Sequence, residues 1–174
     1  RKFFVLDKNM AYFDGALPIG NGQTISQPST VARMLQLLEL KKGDNVLEIG
    51  TGSGWNAVLI AHIVKPGKVI SYEIIPEIFK TAEKNIKKIG IKNIKIINGN
   101  FLNENKKFDK IIFTAGINRN EEEKILKIAY SNLNKNGILL CPYRLGPLII
   151  VKNDRGNIKK DYTQEEYSFV PLVL

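Results

Sequence analysis

The period of the hydrophobic positions changes several times along the chain. Val31, Met34, Leu35 and Leu38 recur at helical spacing and predict a helix from Pro28 to about Leu40, ended by Lys41-Lys-Gly43-Asp44. Val46, Leu47 and Ile49 then form a short apolar run suited to a buried strand, and the pattern turns helical again from about Asn56 to Val64. A turn at Pro66-Gly67 leads into a second strand, Val69 to Glu73. The helix after Pro76 buries Ile78, Phe79, Ala82, Ile86 and Ile89, and Gly90 caps it. Further strands are predicted at Ile94–Ile97, Asp109–Thr114 and Gly137–Cys141. A helix from about Glu121 to Leu133 opens with three glutamates, which suit the positive end of its dipole. Leu148–Val151 and Tyr167–Val170 read as a closing antiparallel pair joined across Asp154-Arg-Gly156. Two stretches carry no period. Asp14 to Pro28, with three glycines and two prolines, reads as a shaped loop. Arg1 to Tyr12 is irregular, so a further N-terminal element is expected ahead of it.

Strands that alternate with helices imply an α/β fold with a mainly parallel sheet covered on both faces. Ligands of such sheets lie beyond the carboxyl ends of the strands. Four segments fall there together: Gly50–Gly54, Glu73, Gly99–Asn100 and Thr114–Gly116.

The first of these closes the stretch Asn45-Val-Leu-Glu-Ile-Gly-Thr-Gly-Ser-Gly-Trp55, a strand, a glycine turn and a helix start. Glycines let the backbone turn sharply and approach a ligand, with the amides of the helix start facing it. A dinucleotide fingerprint needs its third glycine at the sixth position, where this chain has Trp55. The plain alternative is a strand-to-helix turn of any α/β protein. Glu48 carries a charge where a ligand amine can be met. Glu73, ending the neighbouring strand, can accept two hydrogen bonds from a ribose diol. Asn100 can bond an adenine edge or simply close a turn.

Composition narrows the chemistry. The 174 residues are 44% hydrophobic and 25% charged, ordinary for one globular domain, expected to span 1–174. No apolar run is long enough for a membrane span, and the start lacks the features of a signal peptide, so a cytoplasmic protein with no membrane partner is expected. Cys141 is the single cysteine and reads as a buried thiol. The net charge of +9 raises nucleic acid as a partner, but the lysines are scattered and no aromatic ladder accompanies them, so a solvated helix face is the preferred reading. His62, the one histidine, lies in the helix after the glycine turn and is read as a helix-face residue. No cluster suits a transition metal, and no P-loop lysine follows the glycines. Methyl transfer from a sulfonium to a carboxylate fits these absences, because the carboxylate is already ionised at neutral pH and no base must activate it.

Ala16-Leu-Pro-Ile-Gly-Asn-Gly-Gln-Thr-Ile-Ser-Gln-Pro28, Val46-Leu-Glu-Ile-Gly-Thr-Gly-Ser-Gly54 and Phe169-Val-Pro-Leu172 together resemble the protein-L-isoaspartate O-methyltransferases. The likeness runs from about Phe3 to Leu172. It implies a class I methyltransferase: a three-layer, Rossmann-like sandwich on a mostly parallel, seven-stranded doubly wound sheet. It also implies S-adenosylmethionine as donor, S-adenosylhomocysteine as product, and isoaspartyl-containing proteins and peptides as substrates, with the chain acting as a monomer. The liberated α-carboxylate is methylated, and the ester collapses to a succinimide whose hydrolysis returns some normal aspartate.

Carried over by position, Ser26 is the active-site hydroxyl, with helix capping as its other possible role. Thr24 and Ile25 flank the cofactor, and Gly50, Thr51, Gly52, Ser53 and Gly54 cradle its methionine part. Glu73 takes the ribose, Asn100 lies near the adenine, and Glu48, Ile74, Gly99 and Thr114 complete the expected cofactor contacts. Leu17, Pro18, Ile19, Gly20 and Val170 would line the peptide cleft. The chain departs from the family's usual pattern at Ser29, at Gly99-Asn100-Phe101 in place of Gly-Asp-Gly, at Thr114-Ala-Gly-Ile117 in place of Thr-Ala-Ala-Pro, and at Cys141-Pro-Tyr143. These departures leave two alternatives open: a methyltransferase acting on RNA or a small molecule, and a cofactor-binding module without turnover.

Overall fold

The computed structural model describes residues 1–174. In chain order its regular elements are β1 (Leu17–Gly20), β2 (Gln23–Ile25), α1 (Pro28–Leu38), β3 (Val46–Ile49), α2 (Trp55–Val64), β4 (Val69–Glu73), α3 (Pro76–Ile89) and β5 (Ile94–Asn98). Then follow β6 (Phe108–Phe113), α4 (Glu122–Ser131), β7 (Leu133–Pro142), β8 (Leu145–Gly146), β9 (Leu148–Asp154), β10 (Asn157–Tyr162) and β11 (Tyr167–Ser168). Seven strands form one sheet in the order β10-β9-β7-β6-β3-β4-β5. From β7 to β5 all neighbours run parallel; β9 is antiparallel to β7, and β10 is antiparallel to β9.

The alternation of side chains along each strand divides the core into layers. Val46, Ile112, Ile138 and Leu140 pack against Met34 and Leu38 of α1 and Ala57, Ile60 and Val64 of α2. Leu47, Ile111, Phe113 and Leu139 face the other way, against Ile125, Leu126 and Ala129 of α4. The chain proceeds from β3 to β4 and β5 on one side and returns to β6 and β7 on the other, so the topological switch lies between β3 and β6.

Two expectations are corrected. Asp14 to Pro28 contains a short hairpin, β1 on β2, whose tip at Gly20–Gly22 is left-handed throughout. Arg1–Tyr12, which carries no period, packs onto the domain: Phe4, Val5 and Ala11 are buried with Ile19, Ile25 and Ile78. The antiparallel partner of β9 is β10, not the segment from Tyr167. Arg155 and Gly156 both adopt positive φ, and the Gly156 N–H donates to Asn153 Oδ1 at 2.8 Å, so the chain reverses at once. β10 is an exposed edge strand of sequence Asn-Ile-Lys-Lys-Asp-Tyr and carries no hydrophobic alternation to reveal it. Tyr167–Ser168 pairs instead with Leu145–Gly146.

Candidate active site

Two clefts open at the carboxyl ends of the strands and meet at the glycine turn. The first is lined by Gln23, Thr24, Gly50, Gly52, Tyr72, Glu73, Ile74, Ile75, Gly99, Asn100, Phe101 and Thr114, with Val170–Val173 along one wall. The second is lined by Thr24, Ile25, Ser26, Val31, Met34, Gly50, Thr51, Gly52, Ser53, Trp55, Asn56 and Thr114. Thr24, Gly50, Gly52 and Thr114 belong to both.

The turn between them is held from three sides. Gly50 and Thr51 donate their N–H groups to the Tyr72 carbonyl at 2.9 and 3.0 Å. The Thr114 hydroxyl, at the end of β6, donates to the carbonyls of Ile49 and Gly50. Gly50 has φ +96°, and a Cβ there would lie 2.5 Å from Thr114 Oγ1, so both the conformation and the close approach demand glycine. Glu73 reaches back to the turn: one carboxylate oxygen accepts from Gly52 N–H at 2.9 Å, the other from Ile75 N–H at 3.0 Å. That pair of bonds fixes the carboxylate, and each oxygen keeps a second lone pair for a ligand hydroxyl.

Ser26 does not cap α1. The cap residue is Gln27, and the carboxylate of Asp14 accepts the Ser29 N–H from across the loop at 2.9 Å. Ser26 faces the second cleft instead, and its carbonyl accepts a hydrogen bond from the Arg1 guanidinium at 3.1 Å. Arg1 also binds the carbonyls of Phe13 and Gly15 and lies over the Trp55 ring, which ties the N-terminal segment to the Ser26 loop.

Other expected residues stand elsewhere. Glu48 lines neither cleft. The strand's alternation sends it into the α2 layer, where it is fully buried. Ser71, its register partner on β4, donates to one oxygen, and Asn56 Nδ2 of α2 donates to the other at 2.8 Å. Burial pushes its carboxyl up to about 7, against the pull of the Ser71 and Asn56 hydrogen bonds and with a smaller push from Glu73. Leu17, Pro18, Ile19 and Gly20 also lie outside both clefts. Ile19 is buried beneath the hairpin, its Cδ1 3.7 Å from where a Gly52 Cβ would stand, and Pro18 and Gly20 are exposed. Asn100 lines the first cleft and also closes a turn, its Oδ1 accepting Leu102 N–H at 3.0 Å. His62 is exposed on α2, away from both clefts.

A family model described as protein-L-isoaspartate(D-aspartate) O-methyltransferase matches residues 1–174. The chain belongs to that family. A protein-L-isoaspartate O-methyltransferase of Pyrococcus horikoshii is 43% identical, covering 99% of this chain and 80% of its own length. One of Methanococcus aeolicus is also 43% identical, covering 94% of this chain and 76% of its own. A solved structure of a protein-L-isoaspartate O-methyltransferase superposes with a TM-score of 0.84 at 26% identity over 98% of this chain, which spans 57% of that chain.

The departures from the family's usual residues have local physical reasons. Phe101 is buried edge-on against Phe113, ring centroids 5.4 Å apart, so it forms core as well as cleft floor. A Cβ on Gly116 would sit 2.6 Å from the Arg144 backbone, and Ile117 donates its N–H to the Pro142 carbonyl at 3.0 Å, a bond that proline cannot make. Gly116 in turn receives and donates backbone bonds with Val170 and Leu172, which pins the C-terminal wall over the first cleft.

Arg1, Tyr72 and Asn56 also stand at the clefts or against the Ser26 loop, without having been expected there. Only Asn56 left a clear signal: it is a polar residue in the first turn of a helix, Trp-Asn-Ala-Val-Leu-Ile-Ala, that is otherwise apolar there.

Proposed function

We propose that this chain is a protein repair methyltransferase that moves a methyl group from S-adenosylmethionine to the free α-carboxylate of L-isoaspartyl residues in damaged proteins or peptides. The observation that carries this reading is that Ser26 and the glycine turn line one cleft, continuous through Thr24 and Thr114 with the cleft that holds Glu73 and Asn100. Family membership over the whole chain supports it, since the family implies S-adenosylmethionine as methyl donor.

The residues present fit such a donor. Glu73 has lone pairs directed at a cleft where a ribose diol can chelate it, and Gly99, with nothing within 4 Å of where a Cβ would be, leaves room beside it. Phe101 and the Ile74–Ile75 segment supply an apolar floor and wall for a flat base, with Asn100 at its polar edge. When bound, the donor supplies an electrophilic methyl group on a positively charged sulfur. The chain's own part is then positioning. Ser26 donates its hydroxyl to one carboxylate oxygen of the substrate and leaves the other free to attack. Val31, Met34 and Trp55 form the apolar side of the cleft and keep water from competing for the carboxylate. No group has to take a proton, which agrees with the position of His62 far from the clefts.

Incubation with methyl-labelled S-adenosylmethionine and an isoaspartyl peptide should yield base-labile methyl ester. The matched aspartyl peptide should give none. Equal labelling of both peptides, or label in RNA but in neither peptide, would overturn the substrate assignment.

A further inference from the structure

A single guanidinium joins the Ser26 loop to the start of α2. Arg1 donates to the carbonyls of Phe13, Gly15 and Ser26 at 2.6, 2.7 and 3.1 Å. The same group lies over the Trp55 ring, 5.3 Å from its centre. Ser26 and Trp55 both line the second cleft, whereas Arg1 itself lines neither cleft. The arrangement carries a cost. Arg1 Nε is enclosed without an acceptor, and an unpaired buried donor is unfavourable by about 1–3 kcal/mol. Arginine suits the place because a planar fork of five donors can meet several carbonyls and still keep a face on an aromatic ring, which an ammonium cannot.

Anchoring the N-terminal segment does not account for these contacts. Phe4, Val5 and Ala11 already bury that segment against Ile19, Ile25 and Ile78. The Ser26–Gln27 link is what lacks support of its own. It falls between the end of β2 at Ile25 and the start of α1 at Pro28, outside the strand ladder. Its support comes from residues 13–15. Asp14 accepts from the Gln27 side chain at 3.2 Å and from the Ser29 N–H at 2.9 Å. Arg1 binds the carbonyls on either side of Asp14 and that of Ser26 itself. A carbonyl held in a planar peptide unit limits rotation about the bonds before it, so the Arg1 contact restricts where the Ser26 Cβ carries its hydroxyl.

We propose that Arg1 is a positioning residue for methyl transfer: it clamps the Ser26 loop, rests on Trp55, and so sets where the Ser26 hydroxyl stands relative to the glycine turn. This rests on the role given to Ser26 above. A displacement of about 1 Å between reacting groups can slow a reaction about a hundredfold. Removing the hydroxyl altogether sets the ceiling, so loss of Arg1, which displaces the hydroxyl without deleting it, should slow turnover about tenfold.

A double-mutant cycle between Arg1→Ala and Ser26→Ala tests this. Turnover of an isoaspartyl peptide is expressed per S-adenosylhomocysteine site counted by calorimetry, which removes any unfolded fraction from the comparison. Arg1→Ala should lower kcat about tenfold and leave KM for S-adenosylmethionine within about twofold. In the Ser26→Ala background the same substitution should have almost no effect on kcat, because the group it positions is gone. The cycle is repeated with Arg1→Lys, which keeps the stem and the charge but not the fork. Its loss should be smaller than that of Arg1→Ala and should vanish in the same way. A loss of kcat that is equal in the two Ser26 backgrounds, for either variant, means that Arg1 only holds the fold together, and overturns the inference. So does an Arg1→Ala protein with unchanged kcat. A Ser26→Ala protein as active as the natural one overturns it together with the role of Ser26. A natural protein that methylates no isoaspartyl peptide refutes the reaction itself, and the inference with it.

Discussion

Replacing Glu48 with glutamine should change how stability depends on pH. Glu48 lies beneath the glycine turn, fully buried, with Ser71 and Asn56 donating to its oxygens. Burial, the largest influence on it, raises its carboxyl from 4.5 to about 7. Between those two values the native state keeps a proton that the unfolded chain has released. The unfolded state then binds fewer protons, so stability falls as pH rises through this window and levels off above it. At about 1.4 kcal/mol per pH unit the full effect is on the order of 3 kcal/mol, and about 2.5 kcal/mol of it is lost between pH 5 and pH 8. Glutamine cannot ionise, yet its carbonyl can still accept from Asn56 and its amine can face Ser71. Urea unfolding of both proteins at pH 5, 6, 7 and 8 isolates the effect, because the other titrating groups are shared. The stability of Glu48→Gln relative to the natural protein should rise by about 2–3 kcal/mol from pH 5 to pH 8. Parallel profiles would refute the reasoning, since they would mean that Glu48 ionises in the native state as freely as in the unfolded chain.

Three further outcomes follow from the same geometry. Ser26→Ala should lower turnover about a hundredfold, the cost of one positioned donor, while affinity for S-adenosylhomocysteine by calorimetry stays within about twofold. Unchanged turnover would leave Ser26 without a role in the reaction. Glu73→Gln keeps an acceptor for Gly52 or Ile75 but loses the charge that binds a diol, so S-adenosylhomocysteine should bind about tenfold to a hundredfold more weakly, and an unaltered dissociation constant would remove Glu73 from the site. Phe101→Ala should cost about 3–5 kcal/mol in urea unfolding, the loss of a fully packed aromatic side chain; a cost below about 1 kcal/mol would contradict its place in the core.

Much of the site was legible in the chain because it depends on local rules. The glycine turn is dictated by strand, glycines and helix following one another within ten residues or so. Glu73 ends a strand, Asn100 and Thr114 follow strand ends within two residues, and the ends of neighbouring parallel strands meet wherever the sheet forms. The order of strands and helices was therefore enough to bring these residues to one edge. The hydrophobic period located α1, α2, α3 and the parallel strands for the same reason: each buries a face that its own sequence marks.

Only the tertiary structure decided where individual side chains point and which distant segments pair. Glu48 is adjacent to the turn in sequence, but alternation along β3 and the cover of α2 turn it into the core, where Ser71 and Asn56 donate to its carboxylate. Ser26 was open to two roles until Gln27 and Asp14 were seen to cap α1. β10 could not be found from its pattern, since an edge strand exposed along its length needs no hydrophobic side. Local periodicity is a property of one segment and can be read from it. Side-chain direction at a strand end, a cap supplied from across a loop and an edge pairing are properties of two segments at once, and they exist only when packing has brought those segments together.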